Sequence, residues 1–149
     1  MESLFDPACR DRTLARIDRL RPDSRPGWGK MDAAQAMAHC ALAMETATGD
    51  ATLSRPFLVR LIGRFFRGSM LSPKPYPRNS RTHPQLVVKS AKDFDREKAR
   101  LVASIRKFHD GGPAAAARYE HALLGTLTGE EWSRFQLKHL DHHLKQFEV

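Results

Sequence analysis

Two histidines near the end of the chain, His139 and His143, stand four residues apart in WSRFQLKHLDHHLKQF, Trp132 to Phe147. In a helix, positions i and i+4 stack on one face. Two imidazoles so placed can share one ion, because neutral imidazole nitrogen ligates zinc, copper, iron and nickel. His142 turns about 100° away from His143 and is the weaker ligand candidate. The HExxH pattern of metalloproteases is absent, since Leu140 follows the first histidine where that pattern has glutamate.

The rest of that helix sets the direction in which the histidines look. Trp132, Gln136, His139, His143 and Gln146 share one stripe, with Leu137, Leu140, Leu144 and Phe147 flanking it. Arg134, Lys138, Asp141 and Lys145 fall on the opposite side. The apolar flank must bury, so the histidines face inward. They are then either metal ligands or core histidines held by hydrogen bonds, with Gln136 and Gln146 as partners. A third histidine, His39, sits in the alanine-rich run MDAAQAMAHCALAMETATGD. Its face carries Gln35, Ala36, Ala43 and Thr46, which are small or polar, while Met37, Cys40 and Met44 form the adjacent apolar stripe. A histidine among alanines reads as one facing a cavity. Three histidines from two helices would leave coordination positions open for water or substrate, the pattern of a catalytic metal site.

The elements that must position these residues can be read from caps and periodicity. Helix one spans Pro7 to Leu20, with Asp6 as N-cap, Pro7 at the first helical position and Phe5 placed to staple back. The loop RPDSRPGWGK follows. Helix two spans Ala33 to Thr48 between Asp32 and Gly49. Helix three runs from near Pro56 to Met70, with Arg60, Arg64 and Arg67 on one side and a broad apolar side expected to pack on the core, the alternative being an interfacial helix at an anionic surface. Four prolines exclude regular helix from SPKPYPRNSRTHPQLVVKS, with a short extended segment over Gln85 to Val88. Helix four spans Phe94 to Phe108, capped by Ser90 or Asp93 and stopped by His109-Asp110-Gly111-Gly112, and a short helix covers Pro113 to Tyr119. Thr128-Gly129-Glu130-Glu131 is a capping box for the last helix. The reading is all-α: a four-helix bundle with additional short helices and one long Pro-rich connection, in a single domain over residues 1–149.

Composition narrows the classes. No apolar run approaches a membrane span, and MESLFDPACRDR lacks the basic and apolar regions of a signal peptide. The two cysteines, Cys9 and Cys40, form no framework, which points to a reduced, cytoplasmic protein. The net charge is +8, and it is local. Residues 51–92 hold nine basic residues (Arg55, Arg60, Arg64, Arg67, Lys74, Arg78, Arg81, Lys89, Lys92) and no acid.

The histidine of Met37-Ala38-His39-Cys40, the Gly125-Thr126-Leu127-Thr128-Gly129-Glu130-Glu131-Trp132 entry and the terminal HxxHH helix ending in LKQF resemble the DinB-like (YfiT-like) metal-dependent proteins. The resemblance extends over FDP near the start, WGKMDAAQAMAHC and PKPYPRN. It implies a four-helix bundle with a divalent metal at one end, ligated here by His39, His139 and His143. Relatives often carry His-Pro-Phe-Phe-Gly before the final helix, where this chain has His121-Ala122-Leu123-Leu124-Gly125. His121 is then either a proton-transfer residue or a loop anchor.

What the resemblance implies for function is a metal-dependent enzyme. Thiol-dependent transfer to an electrophile and metal-assisted hydrolysis are both consistent with it. Zinc or nickel is the expected ion, with iron a further choice, and a low-molecular-weight thiol the expected cosubstrate. Gln35, Thr46, His121, Trp132, Gln136 and Gln146 are the pocket candidates around a small-molecule substrate. The alternative is a non-enzymatic binding module that presents residues 51–92 to nucleic acid or an anionic surface, with a structural or vestigial metal site. A homodimer formed through an exposed stripe on helix three is a further reading.

Overall fold

The computed structural model describes residues 2–149, apart from the side chains of Arg60 and Arg64. Five helices carry the fold: α1 (Pro7–Asp18), α2 (Ala33–Thr48), α3 (Phe57–Leu71), α4 (Phe94–Ala116) and α5 (Gly129–Gln146). A 3-10 turn, Pro84–Leu86, interrupts the long connection before α4. Between α4 and α5 a small antiparallel ladder pairs β1 (Glu120–His121) with β2 (Gly125–Thr126).

α2 is the central helix. Eleven of its sixteen residues are buried, on all sides, and seven of those are alanines: Ala33, Ala34, Ala36, Ala38, Ala41, Ala43 and Ala47. Small side chains let a neighbour approach closely, and α4 packs along α2 more extensively than any other pair of elements. Met37 and Met44 of α2 meet Leu101, Ile105 and Phe108 of α4 and Trp132, Leu140 and Leu144 of α5 in one continuous cluster. Arg100 of α4 fastens the pair at its polar edge, forking to both carboxylate oxygens of Glu45 at 2.6 Å and reaching Glu97 at 3.0 Å. α1 lies against α4 and α5. Its Arg16 donates to Asp141 and to the carbonyl of Val149.

The caps act where the sequence places them. Asp6 and Asp93 accept from the first-turn N–H groups of Ala8 and Arg96. Both Asp32/Gln35 and Thr128/Glu131 close reciprocal capping boxes. α1 ends at Asp18 rather than Leu20, because Arg19 and Leu20 close back onto Arg16 and Ile17 in tighter i−3 bonds. The Phe5 ring stacks on Phe108 of α4 at 4.8 Å. α4 does not stop at Phe108. It continues to a break at Gly112, whose φ of 70° only glycine adopts without strain, and Pro113 starts one further turn ending at Ala116. The expected short helix to Tyr119 is thus a single turn. The extended segment expected over Gln85–Val88 is largely the 3-10 turn, with Val87 extended after it.

α3 departs furthest from expectation. Its apolar side does not pack on the core: Phe57, Leu58, Leu61, Ile62, Phe65 and Phe66 are all exposed. The helix is instead held by its narrow opposite side. Gly63 lies so close to the hairpin that a Cβ there would fall 1.7 Å from the Leu123 carbonyl oxygen. Arg67 donates to the carbonyls of Leu124 and Thr126 and pairs with Glu131 at 2.7 Å. Lys138 of α5 donates to the carbonyls of Ser69, Met70 and Ser72, satisfying the end of α3. Arg60 and Arg64, expected on the same side, lie outside the described side chains.

Candidate metal centre

α2 and α5 bring His39, His139 and His143 together. One ring nitrogen from each lies within 4.8 Å of the others. Imidazole–metal bonds of about 2.0–2.1 Å in a tetrahedral site put two nitrogens about 3.4 Å apart, so the widest pair would close by up to about 1.4 Å to share one ion. His39 Nε2 and His139 Nε2 already stand 2.9 Å apart. His142 is not part of the cluster, although its ring touches that of His143. It turns toward Trp28 and Tyr76 instead.

The outer nitrogens fix how the rings point. His39 Nδ1–H donates to the carbonyl oxygen of Leu86 at 2.7 Å. A carbonyl cannot donate, so His39 keeps its lone pair on Nε2. His143 Nδ1–H donates to Gln146 Oε1 at 2.8 Å, and Gln146 Nε2 donates onward to the carbonyl of Trp28 at 2.6 Å. That chain leaves the His143 lone pair on Nε2 as well. His139 has no such support, and its buried Nδ1 has no hydrogen-bond partner among the described residues. A proton on Nδ1 sets two lone pairs face to face between His39 and His139. A proton on Nε2 leaves Nδ1 bare. A cation among the three Nε2 atoms removes the first conflict, so the residues fit a metal ion.

Burial also keeps the cluster uncharged. Desolvation pushes the His143 pKa down to about 3, helped by the proximity of His39. It holds His139 well below the ordinary imidazole range, with His143 and His39 adding to the shift. His39 is lowered by burial and partly restored by its bond to Leu86. Neutral imidazole is the form that ligates metal. No carboxylate or thiol joins the three histidines among the described residues. Cys40, next to His39 in sequence, is buried and its thiol pushed up by desolvation, so it behaves as a small apolar residue.

The other pocket candidates take distinct places. Gln146 is in contact with a cluster histidine and orients it. Gln136 is fully buried one turn before His139; its Nε2 donates to the Ala43 carbonyl, and its Oε1 has no partner among the described residues. Trp132 is a core residue whose indole N–H donates to the Tyr119 carbonyl. Thr46 bonds back to Ala43 of its own helix. Gln35 completes the α2 cap and holds the carbonyls of Lys89 and Ser90. His121 is a loop anchor: its Nδ1 accepts from the N–H groups of Leu123 and Leu124, and Phe135 packs against its ring.

Residues 6–149 match the family described as "Protein of unknown function (DUF1569)". The chain belongs to the DUF1569 family. No curated protein and no solved structure matches it.

Two parts of the centre in this DUF1569 protein carry no side-chain signature. One is the Leu86 carbonyl, delivered by the 3-10 turn. The other is the Gly27–Gly29 segment, which wraps the end of α5. Gly27 N–H donates to the Gln146 carbonyl at 2.7 Å, and Gly29, at φ 82°, leaves no room for a Cβ beside Gln146 Nε2. Backbone groups of this kind leave no trace in residue type, though the WG pair marks the tight turn. A separate cavity of about 760 Å³ runs between α1, α5 and the proline-rich connection. It is lined by His142, Trp28, Tyr76 and Arg134 among others, and not by the three clustered histidines.

Proposed function

We propose that this DUF1569 protein is a divalent-metal-dependent enzyme with a DinB-like four-helix bundle of α1, α2, α4 and α5. His39, His139 and His143 would hold the ion, zinc or nickel by donor type, with iron also compatible. The observation that carries the reading is the convergence of three imidazoles, two of them with outer nitrogens tied so that their lone pairs point inward. Metal-ligating histidines are commonly oriented in this way.

A cation on three neutral ligands keeps its charge, and it can hold a thiol as thiolate or lower the pKa of bound water to about 7. The protein's own contribution is orientation and exclusion of water. Gln146 and Leu86 aim two rings, and burial keeps them neutral. Gln136 Oε1 offers a buried acceptor one turn from the site. No carboxylate joins the cluster among the described residues. This favours transfer of a low-molecular-weight thiol to an electrophilic small molecule, because a metal-held thiolate needs no base to activate it.

The test is metal content by mass spectrometry after incubation with zinc, nickel and iron. About one equivalent per chain is expected, lost in His39→Ala and His143→Ala variants that retain native circular dichroism. Loading followed by a screen of thiols with electrophiles then addresses the reaction. A wild-type protein that takes up none of the three ions would sink the proposal.

A further inference from the structure

We infer that α3 is an interfacial helix that seats the protein on an anionic membrane surface. Phe57, Leu58, Leu61, Ile62, Phe65 and Phe66 recur at the i, i+1, i+4, i+5 spacing that makes one continuous helical stripe. Their exposure runs from 48% at Leu61 to 85% at Phe65. An aromatic side chain offers about 150–250 Å² of surface, so the three phenylalanines and three aliphatic residues together exceed the few hundred Å² that soluble monomers ordinarily leave open.

The stripe is displayed, not left over from incomplete packing. The opposite side of α3 is fixed to the body by Gly63 against Leu123, by the Arg67 fork onto the hairpin and Glu131, and by Lys138 on the last carbonyls. Turning the stripe inward would break all three attachments.

Charge selects the occupant. The 51–92 stretch around α3 has nine basic residues and no acid; Arg55 and Arg67 pair with Glu120 and Glu131 from outside it, and the stretch still carries a strong positive excess. A second copy docked face to face would bring two such stretches together, and like charges in one interface oppose association. Anionic headgroups complement them. A helix with bulky apolar residues on one face and cationic flanks is the form that lies in the plane of a lipid interface. No helix among the described residues is long and apolar enough to cross a membrane, so this one would lie on the surface.

The experiment is co-sedimentation of the full chain with vesicles of phosphatidylcholine alone or with about one third phosphatidylserine. It is run beside a Phe57→Ser/Phe65→Ser variant. Both positions are exposed, so the variant keeps its fold and its metal uptake, and its result is independent of the proposed activity. The expected result is at least about tenfold more binding to the anionic vesicles, weakened by salt and lost in the variant. No sedimentation, equal binding to both vesicle types, or retention by the variant overturns the inference. A particle of twice the chain mass in light scattering, abolished by the variant and indifferent to vesicles, assigns the face to a second copy and also overturns it.

Discussion

Gln146 spans two jobs with one amide. Its oxygen takes the His143 Nδ1 proton, and its nitrogen ties that arrangement to the Trp28 carbonyl. Gln146→Ala frees the ring to rotate and leaves a buried N–H and C=O unpaired. Loss of such an outer partner typically costs 10–100-fold in metal affinity. That drop is expected in a chelator-competition titration, in protein that is still folded. His121 supports a pH prediction. Its pKa is lowered to about 4 by burial, with His83 and Arg55 adding to the shift, and its Nδ1 must stay unprotonated to accept from Leu123 and Leu124. Unfolded histidine titrates near 6.5, so between roughly pH 6.5 and 4 the unfolded chain binds more protons than the folded one. The stability contributed by neutral His121 is therefore complete above about pH 6.5 and declines as pH falls toward 4, by on the order of 3 kcal/mol. Urea denaturation across that range should show a shallower slope in His121→Gln than in wild type; an unchanged slope would remove His121 as its source.

At the scale of elements, α2 depends on being thin. Ala41 is fully buried in the core cluster. Ala41→Leu would force α2 away from its neighbours, and overpacking of this kind costs about 1–3 kcal/mol, measurable as a lower urea midpoint. The two helices that carry the histidines were the most legible in sequence, because α2 lies between the Asp32 cap and Gly49 and α5 begins with the Thr128–Glu131 capping box. The HxxxH pair and His39 were legible for the same reason: helical spacing alone puts them on inward faces. The hairpin was not, since two-residue strands show no alternation to read. The side on which α3 buries was also illegible. An amphipathic pattern reports that a helix has an apolar face, but not whether that face meets the protein's own core or something outside it. The backbone carbonyls of Trp28 and Leu86 were illegible because any residue type supplies them.

At the scale of the whole molecule, His39 and His139 are 100 positions apart and meet at 2.9 Å. The turn that supplies Leu86 lies between them in sequence, and the loop that clamps Gln146 lies before both. The centre thus draws on four separate stretches of chain, the Trp28 loop, α2, the Leu86 turn and α5, and none of them holds it alone. Contacts of such long range form late, after the entropy of closing large loops has been overcome. Helices can appear before the histidines find one another. An ion that binds all three would then act as a clasp on a nearly finished object, slowing its opening far more than it hastens its assembly.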